Sequence, residues 1–308
     1  MPPEDEENMK SIRFCAAIVL TIISLGTSVF AVPIYVVDDY KSNWGIYSSR
    51  IVVMDSEVPH NDIILNTGTG KRMTDIAVTP RGSRLYTITG DGYTSLYRYD
   101  VDDGHLLDSW NLGIAGTGFK NALVAESETS LLLMSNDEMN LWRINLDAAG
   151  NYLSTDVIGN IGLYSSGDMA ISPDGILYLS SVDQENSPTA KNRLYRIDLT
   201  GGTPVTTQIG IIHETGHNPQ TDWLTQIYGL AFDENGVLYG GRGAVGVAED
   251  VYTINLLDAS ATYAWTMQCE PATGINGFAS DPGSSIPEPV TIALLSFGAL
   301  TLLRKHKG

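Results

Sequence analysis

Cysteine is almost absent: the 308 residues include two, Cys15 and Cys269. There is no CxxC pair and no zinc-ribbon spacing, and loss of Cys15 with a leader leaves no internal disulfide. Positive charge is also scarce. Eighteen lysines and arginines stand against 36 aspartates and glutamates, a formal charge of −18. The two ends carry five of each sign, so the whole excess sits in the body of the chain. Such a body repels nucleic-acid phosphates and anionic lipid surfaces, which makes both poor partners for it. No Ser-His-Asp grouping, phosphate loop or dinucleotide fingerprint is present either. What the chain has in quantity is glycine, 31 residues, which suits many tight turns, and 43% hydrophobic residues, enough for a substantial core.

Lys10 and Arg13 precede an apolar run from Phe14 to Leu25, followed by small residues and Val29-Phe30-Ala31. That order is the pattern of a secretory signal peptide, expected to be cleaved after Ala31, and the run is short for a membrane span. The acidic lead Pro2 to Glu7 is unusual ahead of a signal, and a start at Met9 puts the basic residues first. Cys15 comes before the apolar run instead of closing it, which excludes a lipoprotein anchor.

The body repeats one phrase: apolar strand, turn, a second strand with Leu-Tyr, and a third alternating strand. Inner strands are Thr74 to Val78, Lys120 to Val124, Gly167 to Ile171, Tyr228 to Phe232 and Asn276 to Ser280, aligned without gaps and spaced by about 45 to 60 residues. Turns such as Pro173-Asp174-Gly175 and Glu234-Asn235-Gly236 follow them. Second strands carry Leu85-Tyr86, Leu131-Leu132, Leu177-Tyr178 and Leu238-Tyr239. Third strands begin at Leu96, Leu141, Leu194 and Val251. The fifth inner strand has no successors downstream, but Ile34 to Asp38, Arg50 to Asp55 and Asp62 to Leu65 match the missing three. The expectation is a five-bladed β-propeller of four-stranded blades over residues 32–285, closed by one C-terminal strand joining N-terminal ones. An open array and two separate sandwiches are the alternatives.

The last 23 residues run Ile286-Pro287-Glu288-Pro289-Val290-Thr291, an apolar stretch Ile292 to Leu303, and Arg304-Lys305-His306-Lys307. Read alone, this is a short tail anchor ended by positive charge. The Pro287-Glu288-Pro289 box, apolar run and basic end together resemble the PEP-CTERM protein-sorting domain of Gram-negative and related bacteria. One departure is Val290 preceding Thr291, where the family has a small hydroxyl residue first. The resemblance implies export, processing near Pro287 by an exosortase-type enzyme and a cell-envelope or extracellular product, often in bacteria that make exopolysaccharide. It implies nothing about what the propeller binds.

His213-Glu214-Thr215-Gly216-His217 matches H-E-x-x-H, in which two histidines one helical turn apart bind zinc. Gly216 inside the motif and Pro219 after it oppose a helix, so a metalloprotease is a poor reading. A loop site in which His213 and His217 hold a divalent metal, with Glu214 or Asp222, remains a candidate beside a merely solvated loop. The ungapped alignment puts Asp75, Asn121 and Asp168 at equivalent places near the channel mouth. They are read either as a ligand or cation site or as polar side chains satisfying backbone N–H groups. Tyr228, Trp223, Tyr40 and Trp44 lie in or beside loops assigned to the same face, and aromatics beside carboxylates suit a sugar surface. Three functions follow: a propeller binding a polysaccharide or surface protein; a glycan hydrolase or lyase using Asp75 and Asp168 as acid and base; and a structural matrix protein.

Overall fold

The structure is a computed structural model that describes residues 33–41, 47–55, 63–66, 72–89, 93–115, 119–182, 191–243, 249–267 and 272–281. The signal segment, Trp44 and the Pro287–Pro289 box lie outside the described residues. The chain starts with β1 (Pro33–Lys41), β2 (Tyr47–Asp55) and β3 (Ile63–Asn66). Blade two is β4 (Met73–Val78), β5 (Leu85–Thr89), β6 (Tyr93–Tyr99) and β7 (Leu106–Ala115). Blade three is β8 (Lys120–Ser127), β9 (Ser130–Ser135), β10 (Asn140–Leu146) and β11 (Tyr152–Asn160). Blade four is β12 (Tyr164–Ile171), β13 (Leu177–Val182), β14 (Asn192–Asp198) and β15 (Val205–Ile211). After a two-residue strand, β16 (His213–Glu214), blade five comprises β17 (Ile227–Phe232), β18 (Leu238–Arg242), β19 (Asp250–Ile254) and β20 (Ser260–Thr266). The last strand, β21 (Ala272–Ser280), pairs with β1 and completes blade one in the order β21-β1-β2-β3.

The five inner strands β21, β4, β8, β12 and β17 adjoin one another in that order and close the ring. This is a five-bladed β-propeller, as the repeats lead one to expect. The Leu-Tyr pairs have a direct physical cause. Successive strand residues point to opposite faces, so each pair serves two interblade cores. Leu85 packs in the seam before blade two and Tyr86 in the seam after it. Leu177 and Tyr178 divide in the same way around blade four, as do Leu238 and Tyr239 around blade five. In blade one Ile34 and Tyr35 take these places. Five apolar clusters result, one for each seam. Each fully buried Leu or Ile contributes roughly 1.5–3 kcal/mol.

Pairing register corrects one sequence alignment. Val78, Ala125, Ile171, Phe232 and Ser280 lie opposite the first residues of the second-strand phrase, Leu85, Leu131, Leu177, Leu238 and Ile34. Three residues back, the level positions are Asp75, Ala122, Asp168, Gly229 and Gly277. Asn121 is therefore one place earlier than Asp75 and Asp168. The ladder skips Thr74 in β4 and Asn121 in β8, as bulges. Both Lys-Asn-Ala-Leu-Val and Asn-Ala-Leu-Val-Ala fit the apolar pattern, and matching by polarity selected the wrong one.

Candidate functional site

The inner edge of an innermost strand has no strand to pair with, so its N–H and C=O groups point at the channel axis and need other partners. At the level of Asp75 and Asp168 two side chains meet that need for all five blades. Asp75 accepts from Ile76 N at 2.7 Å through Oδ1 and from Leu123 N through Oδ2. Asp168 accepts from Met169 N at 2.6 Å through Oδ1, and from Leu230 N at 2.6 Å and Phe278 N at 3.0 Å through Oδ2. One amide from each inner strand is thus held by one carboxyl pair. The other three level positions are Ala122, Gly229 and Gly277, and small residues there leave room for it. A Cβ on Gly277 would overlap the Asp75 carboxyl, and one on Gly229 would overlap the Phe278 ring.

Both aspartates are fully buried. Burial pushes each acid well above the usual carboxylate range, and the charge of Asp168 raises Asp75 further. The two carboxyls also hydrogen-bond to each other, a contact that lowers Asp168 and raises Asp75. Asp75 accepts from two of the amides and Asp168 from three, so the pair divides them unequally. The channel acids form a sealed plug, with no water-facing oxygen to offer a substrate.

The upper face, where the inner strands begin, carries buried charge. Arg50 Nε donates to Asp38 Oδ2 at 2.6 Å, across the β1–β2 register. Beside this pair, ahead of β19, Glu249 is 5% exposed. Its pKa is raised to about 8 by burial and by Asp38, against the opposing effect of Arg50 and the Gly274 amide. The Glu249 carboxyl also faces that of Asp38, a contact that favours its protonated form. On blade three, Lys120 is 1% exposed, with Nζ 3.5 Å from Glu138 Oε1 and 3.7 Å from Asp137 Oδ1, above the Trp142 ring at 5.2 Å. Between blades four and five Asn192 donates to Ser166 Oγ at 3.1 Å and Ser180 Oγ at 3.2 Å, and accepts from Gln226 N at 3.3 Å. None of these charged or amide groups stands out in the sequence, because each belongs to a different blade position.

The remaining candidates are dispersed. Trp223 is half-buried and lies under the Lys191 ammonium, 4.6 Å from its ring centroid, while Lys191 also donates to Gln220 Oε1 at 3.0 Å. Tyr228 is partly buried, and a Cβ on Gly167 would strike its backbone. Burial raises its phenol pKa, partly offset by Gln226. Tyr40 lies opposite Ser48 and Ala272 in blade one. Asn121 has an amide oxygen that is buried without a partner. His213 sits in β16, which runs parallel to β20 at the outer edge of blade five, and its Nδ1 donates to Ile211 O at 2.8 Å. His217 follows a turn at Gly216, with φ +85°, and its Nε2 is 3.8 Å from Glu214 Oε2. The H-E-x-x-H segment is strand and turn, with no helical face to align its histidines. Among the described residues, the one group of three that comes within metal-ligating distance is Asp100, Asp103 and His105, in the exposed turn between β6 and β7.

At the lower face, where the inner strands end, the channel opens into a cavity of about 210 Å³. All five inner strands line it, from Val78, Ala125, Ile171, Phe232 and Ser280 to the flanking Glu126, Ser172 and Asp281. This cavity lies at the opposite end of the channel from the face to which the sequence assigns the ligand loops.

No family model matches the sequence, and no curated protein matches it significantly. Among solved structures the chain is similar to the PQQ-bound form of an aldose sugar dehydrogenase from Streptomyces coelicolor, with 16% identity and a TM-score of 0.39. That match covers 60% of each chain, so this chain spans less than two thirds of the dehydrogenase. It is also similar to putative 6-phosphogluconolactonases from Bacteroides fragilis and Bacteroides uniformis. The first is 12% identical, with a TM-score of 0.43 over 83% of this chain and 99% of that one. The second is 14% identical, with a TM-score of 0.41 over 78% of this chain and 69% of that one.

Proposed function

We propose that this chain is an exported, non-hydrolytic β-propeller that binds a polysaccharide at the cell envelope and is sorted there through its C-terminal segment. The observation that carries the choice of binding over hydrolysis is the carboxyl plug. A glycosidase needs two carboxyl groups flanking an accessible scissile bond, whereas Asp75 and Asp168 are fully buried and bonded to five main-chain amides. The binding face in this reading is the upper one, where Trp223 is braced by Lys191 and Gln220. A ring of this kind suits the apolar face of a sugar. Export and sorting rest on the N-terminal signal pattern and on the resemblance of the Pro287-Glu288-Pro289 tail.

Protein recovered from the exported fraction tests both parts. Its intact mass is expected to lack residues from Leu294 onward; a mass that includes them overturns processing. The same material is expected to be retained on one or more immobilised polysaccharides, without releasing reducing ends. Retention that depends on a divalent cation implicates His213 and His217. Absence of retention on every gel moves the reading to a protein ligand, and release of sugar restores the hydrolase.

A further inference from the structure

The carboxyl plug satisfies only one tier of the channel. In an antiparallel ladder the main-chain groups of successive residues point alternately toward the partner strand and away from it. Ile76, Leu123, Met169, Leu230 and Phe278 point away, at the axis. Residues two places further on repeat that direction: Val78, Ala125, Ile171, Phe232 and Ser280. The next residues turn back, as Thr79 N donating to Arg84 O at 2.9 Å, Ser172 N to Ile176 O at 2.9 Å and Asp233 N to Val237 O at 3.1 Å demonstrate. Ser280 Oγ donates to Phe232 O across the seam, as expected of an inward carbonyl. A second tier of inward N–H and C=O groups therefore lies about 7 Å below the plug, given roughly 3.3 Å per strand residue. Those five residues all line the lower cavity.

We infer that this second tier is a binding site for a single neutral sugar unit. Each residue of the tier turns an N–H and a C=O toward the axis, the Phe232 carbonyl already accepting from Ser280 Oγ, and a hydroxyl group is the ligand function that both donates and accepts. A carboxylate answers only the donors, and it meets the acidic residues Glu126 and Asp281 in the cavity wall. An ammonium group answers only the acceptors. The volume of about 210 Å³ far exceeds the ~10–15 Å³ that one water needs and falls below the ~300 Å³ of the smallest drug-sized pockets. One sugar ring fits within it. The apolar side chains of the wall suit sugar C–H faces. The site takes its ligand class from the polysaccharide reading above, but it lies on the other face.

The test titrates the exported protein with glucose, galactose and mannose, with glucuronate and glucosamine as the charged counterparts, following amide exchange by NMR. The expected result is protection of the Val78, Ala125, Ile171, Phe232 and Ser280 amides by at least one neutral sugar. Its charged counterpart should bind about tenfold more weakly, equivalent to ~1.4 kcal/mol. Ala125→Leu, which narrows the cavity, should abolish that protection while polysaccharide retention persists. Equal or tighter binding of glucuronate, or binding without protection of these amides, overturns the site; so does an absence of binding by all three neutral sugars. Should Ala125→Leu fail to fold, the exchange pattern of the unaltered protein decides. Retention without second-tier protection leaves the upper-face reading standing alone, and protection without retention leaves the lower site standing alone.

Discussion

Asp75 and Asp168 differ in how many amides each holds, and the difference predicts unequal consequences. Asp168 accepts from three amides and Asp75 from two. In Asp168→Asn an NH2 group faces one or two of them, and each buried amide left unsatisfied costs roughly 1–3 kcal/mol. Asp75→Asn loses at most one accepted amide, so its cost is nearer 1 kcal/mol, a neutral-bond value. Urea denaturation is expected to place Asp168→Asn below Asp75→Asn; equal losses would contradict the unequal division of the amides. The sequence made these aspartates visible as polar residues in apolar strands, and satisfaction of backbone N–H groups was one of the two readings it allowed. It could not assign Asn121 correctly, because a one-residue bulge is invisible when both registers preserve the apolar pattern.

At the scale of the strand, the signal in the sequence tracks burial. Second strands were legible because Leu and Tyr serve two seams at once. Outer strands were weak because they face water: Leu153 is 63% exposed, Val205 59% and Ile63 55%. β11 and the two-residue β16 have no recognisable phrase. Contacts that join strands from distant parts of the chain were equally hidden, and the Asp38–Arg50–Glu249 group between blade one and blade five is the clearest case. Its behaviour with pH follows from the raised acid. An acid whose folded pKa, about 8, exceeds its ordinary 4.5 binds its proton more tightly in the folded state. Its contribution is complete below 4.5 and is lost as pH rises through 8. Stability is expected to fall across this window with a slope of up to about 1.4 kcal/mol per pH unit from this group. Glu249→Gln should flatten part of the decline in melting temperature, leaving the share of the Asp75–Asp168 pair, which has the same sign. An unchanged pH profile would remove Glu249 as a cause.

For the whole molecule, closure depends on β21. It pairs with β1, contributes Phe278 to a seam core and supplies one of the three amides held by Asp168. A chain ending before Ala272 is expected to lose cooperative melting, since the β1 edge and the Phe278 seam are then both exposed; a truncated monomer with a sharp melt would show that the other four blades hold without it. The closing pair also has a mechanical character. Ile34 lies opposite Ser280, so both ends of the propeller leave from the same end of one antiparallel pair. Tension between the termini loads those hydrogen bonds one after another, in the manner of a zip, and opening proceeds from Ile34 and Ser280 toward Tyr40. Tension on a single end, with the other end unloaded, avoids that peeling path. A propeller held by one terminus therefore resists drag far better than one stretched between two.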